Sequence, residues 1–142
     1  MKITICGSVK FMDKLRVLKR ALLKIGFEEV FLPIGMRDNN KIEGMSVLES
    51  GLRKIKRNLI NTHYRKILAS DCILVANYSK NGVENYIGGN TFLEMGFAFV
   101  NKKPIFVLNQ LPKMPYSSEI IGMKPIVLEG SLNKIWNFML KK

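Results

Sequence analysis

One carboxylate, Glu94, stands inside Gly88-Gly89-Asn90-Thr91-Phe92-Leu93-Glu94-Met95-Gly96-Phe97-Ala98-Phe99, a run that is otherwise almost wholly apolar. An ionisable group among Phe, Leu, Met and Ala is paired, solvated through a cleft, or used in chemistry. The glycine pair Gly88-Gly89 follows the strand pattern Cys72 to Ala76, where an open α/β sheet places its ligand crevice. Thr91-Phe92-Leu93-Glu94 also has the spacing of a capping box, with Thr91 as N-cap and Glu94 reaching back to it. A capping glutamate needs no catalytic role, so the two readings stand side by side.

A second group is Cys6-Gly7-Ser8-Val9-Lys10, where a strand ends and a helix soon begins. Gly7 lets the backbone approach a ligand, the following amides favour an anion, Ser8 can donate a hydrogen bond and Lys10 supplies charge. Any strand-to-helix turn also favours Gly-Ser. His63 lies on the apolar stripe Leu48, Leu52, Ile55, Leu59, His63, Ile67 and points inward, as a satisfied core histidine does. Asp71 precedes a strand at its amino end and reads as a cap or turn residue, whereas Glu84 and Asn85 stand in the loop before Gly88 and could reach a ligand. Ser117 and Ser118, within Tyr116-Ser117-Ser118-Glu119-Ile120-Ile121-Gly122, open a short helix that could form another anion-binding terminus.

The elements that must position these residues alternate along the chain. Strands are predicted at Ile3 to Cys6, Glu29 to Leu32, Cys72 to Ala76, Ile105 to Leu108 and Ile126 to Leu128. Helices are predicted at Asp13 to Ile25, ended by Gly26, then from about Ser46 to Ala69, through Glu94 to about Asn101, at Ser118 to Gly122 and at Leu132 to Leu140. Pro33 to Gly44 reads as a polar loop. Five short apolar strands alternating with helices imply one domain over residues 1–142: a flavodoxin-like or Rossmann-like α/β three-layer sandwich with a five-stranded parallel sheet of order 2-1-3-4-5. That order brings Gly7-Ser8, the segment from Asn77 to Gly89, and Asn109 to one crevice. The Glu94 helix is apolar nearly all round, which predicts a homodimer or higher homo-oligomer through it.

With 47% hydrophobic residues the 142-residue chain can bury a core without staples. Its start runs directly into a strand, with no leader pattern or membrane-length apolar run, so a soluble, cytoplasmic protein is expected. Cys6 and Cys72 read as free buried thiols; the absence of CxxC spacing and the single histidine argue against a zinc site. The net charge of +12 would draw nucleic acid or nucleotides, but the lysines are scattered without a nucleic-acid-reading motif. Even the densest cluster, Arg53-Lys54-Lys56-Arg57, alternates with Leu52, Ile55 and Leu59 as a solvated helix face would. The charge fits a phosphate-bearing small ligand equally well.

From Ile3 to about Gly122 the chain resembles the nucleoside 2-deoxyribosyltransferase family, including its 2'-deoxynucleoside 5'-monophosphate N-glycosidase branch. Three matches occur in the family's chain order: Cys6-Gly7-Ser8-Val9-Lys10, the Glu94 helix followed by Lys102-Lys103-Pro104-Ile105, and Ser117-Ser118-Glu119-Ile120-Ile121-Gly122. The resemblance implies Glu94 as nucleophile, a small-molecule nucleoside or nucleotide substrate, and no metal or redox cofactor. It also implies a phosphate held by Gly7, Ser8 and Lys10, with Ser117 and Ser118 supplied across a dimer interface, and Gly88, Gly89 and Asn90 beside the ligand. The helix start near Asn90 is expected to keep Glu94 ionised.

Two positions depart from the family pattern: His63 stands where an aspartate is common, and Gly88 where Asp or Ser is common. His63, tuned near neutrality, would then donate a proton to the leaving base. Gly88-Gly89-Asn90-Thr91 with Glu94 is also similar to the Gly-Gly-x-Gly-Thr-x-x-Glu motif of lysine-decarboxylase-like phosphoribohydrolases. A nucleotide-binding module without catalysis is the reading from a different class, and a nucleic-acid binder the outlier.

Overall fold

The first strand, β1 (Lys2–Cys6), has four consecutive buried residues after Lys2, as a strand covered on both faces must. In the computed structural model, which describes residues 1–34 and 46–141, β1 pairs in parallel with β2 (Glu29–Phe31) and β3 (Cys72–Val75). Beyond β3 follow β4 (Ile105–Val107) and β5 (Ile126–Val127), also parallel, so the order is 2-1-3-4-5 as expected. Registers such as Ile3 opposite both Val30 and Cys72, and Cys6 opposite Val75, keep like-facing side chains in rows.

Alternation along each strand divides the core into two layers. Ile3, Ile5, Cys72, Leu74 and Phe106 face α1 (Met12–Lys24) and α6 (Asn133–Met139) through Leu15, Leu18, Leu22 and Ile135. Cys6, Ile73, Val75, Ile105 and Val107 face α3 (Leu59–Ala69), α4 (Gly89–Val100) and α5 (Ser117–Gly122) through Ile67, Met95, Ala98 and Ile120. The last residue of β1 therefore points beneath α3 and α4. Gly7 comes next because a Cβ there would lie 3.2 Å from the Ala76 carbonyl oxygen and 3.5 Å from Leu15.

The helix expected as one piece from Ser46 to Ala69 is two, α2 (Val47–Arg57) and α3. Asn58 breaks it by adopting a left-handed conformation (φ 48°, ψ 39°), which asparagine tolerates better than most residues. Ser46 and Glu49 form a reciprocal capping box at the start of α2. The break turns the first half of the stripe away from the sheet. Leu48, Leu52 and Ile55 are exposed, while His63 and Ile67 stay buried. Most of the expected polar loop, from residue 35 on, lies outside the described residues, as do the Lys56 and Arg57 side chains of the basic cluster. Among the described residues no helix is long and apolar enough to cross a membrane.

Candidate active site

At the carboxyl ends of β1 and β3 lies a cavity of about 360 Å³, within the size range of small-molecule sites. Gly7, Ser8, Lys10, His63, Gly88, Gly89, Asn90 and Glu94 all line it. Three lysines, Lys10, Lys54 and Lys80, share its wall with His63 and the single carboxyl group of Glu94, so it presents an excess of positive charge. Phe11, Tyr78, Leu93 and Phe97 add apolar surface.

Glu94 occupies the sixth position of α4, whose N-cap is Gly88 and whose first helical bond runs from the Phe92 amide to the Gly88 carbonyl over 2.9 Å. Thr91 is thus inside the helix and buried, and the Thr91–Glu94 capping box is not formed. The Glu94 side chain is 16% exposed. Burial pushes its carboxyl up to about 7, against the downward pull of the Cys6 thiol, Lys54 and Lys66. The expectation that the helix start keeps Glu94 firmly ionised is corrected here: desolvation wins, and the carboxyl titrates near neutrality.

His63 Nε2 lies 3.5 Å from Glu94 Oε1 and 3.7 Å from Cys6 Sγ. Burial, reinforced by the charge of Lys66, pushes the imidazole down to about 4. This overturns the expected tuning towards neutrality: at physiological pH His63 is neutral, and its contact with Glu94 is no ion pair. Cys6 is fully buried, and burial followed by the charge of Glu94 raises its thiol well above the ordinary value. Its side chain reaches this group because even-numbered positions of β1 face α3 and α4.

Ser8 caps a short 3₁₀ turn, Val9–Phe11, its Oγ accepting from the Lys10 amide at 3.4 Å. The same oxygen accepts from Lys80 Nζ at 3.1 Å. Lys80 begins a tight hairpin closed by two 3.0 Å backbone bonds with Val83, with Asn81 and Gly82 at φ 53° and 73°. Burial and then the charge of Lys10 lower the pKa of Lys80, and both lysines line the cavity. Lys54 Nζ donates to Asn90 Oδ1 at 2.9 Å, joining α2 to the start of α4.

At Gly88 a Cβ would come 3.0 Å from Tyr86 Cε1, so the Tyr86 ring fills the space that a side chain there would need. Ser117 and Ser118 are not in the cavity wall of the single chain. Ser117 Oγ donates to the Pro112 carbonyl and accepts from the Met114 amide, both at 2.8 Å, and Ser118 Oγ donates to its neighbour Glu119. Asn109 and Asn77, expected in the crevice, instead hold each other: the Asn109 amide donates to Asn77 Oδ1 at 2.9 Å and Asn109 Nδ2 to the Asn77 carbonyl at 3.2 Å. Glu84 is exposed outside the wall, the Asn85 amide is bound by Ser79 Oγ, and Asp71 accepts from the Lys2 amide as a turn residue.

Cys6, Lys80, Lys54, Tyr78 and Tyr86 escaped the sequence reading as site residues. For Lys80 a signal existed, since Asn81-Gly82 is a strong two-residue hairpin pattern that presents its flanking side chains together. No protein-family model and no curated protein matches the sequence. Among solved structures, the chain is similar to a 2-deoxyribosyltransferase from the psychrotolerant bacterium Bacillus psychrosaccharolyticus, with 18% identity over 75% of this chain and 71% of that one and a TM-score of 0.47.

Proposed function

We propose that the protein cleaves the N-glycosidic bond of a nucleoside or nucleoside 5'-monophosphate, with Glu94 as the nucleophile. The observation that carries this reading is a buried carboxylate in the wall of a lysine-rich cavity, beside a serine and lysine turn suited to phosphate. Ionised Glu94 attacks C1', the bond from C1' to the base nitrogen breaks, and the electron pair leaves with the base. Water or a second base then attacks C1' and frees the carboxylate. Ser8, Lys10 and Lys80 hold the phosphate, and Phe11, Tyr78 and Phe97 offer surface for the base. The neutral imidazole of His63 holds the carboxylate in place rather than serving as a cationic acid.

A panel of deoxyribosyl and ribosyl nucleosides and monophosphates, assayed for free base by chromatography, tests the reading. Glu94→Gln is expected to abolish base release while nucleotide binding persists; undiminished release would sink the nucleophile. Release confined to ribosyl monophosphates would point instead to the phosphoribohydrolase type, and binding without release to a non-catalytic module. Lys80→Ala is expected to raise KM for monophosphates about 10-fold and leave nucleosides unchanged, the worth of one charge-assisted hydrogen bond. An equal effect on both substrate classes would remove Lys80 from the phosphate site.

A further inference from the structure

Cys6, His63 and Glu94 come from β1, α3 and α4, and no spacing in the sequence marks them as a set. Their donor atoms nevertheless lie within 4.8 Å of one another, with 3.7 Å between sulfur and nitrogen and 3.5 Å between nitrogen and oxygen. Around a tetrahedral zinc ion with ordinary bond lengths, donors of these kinds are separated by about 3.3–3.6 Å. The sulfur–nitrogen and nitrogen–oxygen spacings match two edges of one face of such a tetrahedron, and the sulfur–oxygen edge, within 4.8 Å, closes with a side-chain movement of at most about 1.3 Å. We propose that Cys6, His63 and Glu94 form a binding site for a borderline-soft divalent cation of the zinc class, whose occupancy blocks the cavity's nucleophile.

The donor set decides the class of ion. A thiolate with an imidazole selects zinc, cobalt or ferrous iron over magnesium or calcium, which prefer all-oxygen shells. Binding breaks the S–H bond of Cys6 and the proton leaves to solvent; the thiolate and the carboxylate then balance the two charges of the ion. That neutral sum suits a buried position better than a lone carboxylate does. His63 and Glu94 also line the cavity, so the fourth ligand position is open to water or substrate. Lys54 and Lys66, whose charges reach Glu94, oppose a second cation and favour readily reversible binding. Metal binding stands on this geometry alone, whereas its inhibitory effect rests on the proposed role of Glu94.

Tag-free protein stripped with chelator and titrated with Co²⁺ tests the site through the thiolate-to-cobalt charge-transfer band. A band saturating at one Co²⁺ per chain and displaced by Zn²⁺ is expected. His63→Ala and Cys6→Ser should each weaken binding at least about 100-fold, Cys6→Ser also removing the band, with folding checked by circular dichroism. Cys72→Ala is expected to keep the band, because Cys72 faces the opposite layer. No band with the folded native protein, or a band that survives Cys6→Ser or His63→Ala, overturns the site. Zn²⁺ is further expected to stop base release and chelator to restore it; full turnover with Zn²⁺ bound overturns the inhibitory role. Because the band reads binding without turnover, failure of the glycosidase reading is a separate result.

Discussion

The chemistry of the site turns on two opposed proton equilibria a few ångströms apart. Burial raises Glu94 to about 7 and lowers His63 to about 4, because in each case it disfavours the charged form. The nucleophile role proposed for Glu94 requires the ionised carboxylate, so kcat/KM is expected to rise with pH and level off above an apparent pKa near 7, with no limb from His63 above pH 5. A rate profile from pH 5 to 9 checks this; a flat profile would contradict it. The same shift acts on stability. The folded pKa of Glu94 is raised above its ordinary 4.5, so its stabilising contribution is complete below that value and is lost as pH rises through about 7. Glu94→Gln is therefore expected to stabilise the protein by about 3 kcal/mol at pH 8 and by less than about 1 kcal/mol at pH 5, measured by urea unfolding. His63 has the opposite sign: its contribution is present above 6.5 and lost as pH falls through about 4. Glu94 and Ser8 could be singled out from sequence because residue type and neighbours betray them. Cys6 could not, since its meaning depends on His63, 57 positions away, and on the direction in which one strand residue points.

Among the helices, the break at Asn58 decides where α2 points, while α3 keeps His63 and Ile67 buried. A continuous apolar stripe from Leu48 to Ile67 argued for one helix, and the pattern holds on either side of the break. What periodicity cannot show is a single residue in the left-handed region, which reorients everything before it. Asn58→Gly is expected to leave thermal stability unchanged or slightly higher, while Asn58→Val should cost about 1–2 kcal/mol. If both variants melted alike, the conformation of residue 58 would not be what sets the angle. Gly7 carries a similar constraint at the end of β1. Gly7→Ala pushes a methyl against the Ala76 carbonyl oxygen and is expected to destabilise the fold by about 1–3 kcal/mol in the same measurement.

The whole molecule was the most legible level. Strand order, parallel pairing and the crevice between the ends of β1 and β3 follow from β-branched runs, helix-length connections and the chain's alternation. Among the described residues, several large apolar side chains of two helices face solvent. Val47, Leu48, Leu52 and Ile55 of α2 are 92%, 70%, 57% and 76% exposed, and Leu93, Phe99 and Val100 of α4 are also exposed. We propose that a second copy covers these faces, as the all-round apolarity of α4 leads one to expect. The net charge of +12 per chain opposes that association, so it is expected to strengthen with salt. Sedimentation at low and moderate ionic strength checks this; a monomer at both would refute it, and Leu52→Asp with Ile55→Asp is expected to shift a dimer towards monomer.

The contact between position 88 and Tyr86 sets an order on change at this site. A Cβ at Gly88 meets the Tyr86 ring at 3.0 Å, so a side chain introduced there requires the ring to give by a few tenths of an ångström. Shrinking Tyr86 first opens the space, and the second substitution then enters a vacancy. The two routes to the same double variant pass through unequal intermediates, Gly88→Ser alone being the poorer. A double-mutant cycle on stability is expected to show a coupling of about 1 kcal/mol between the positions. Change at position 88 is therefore easier after change at Tyr86 than before it.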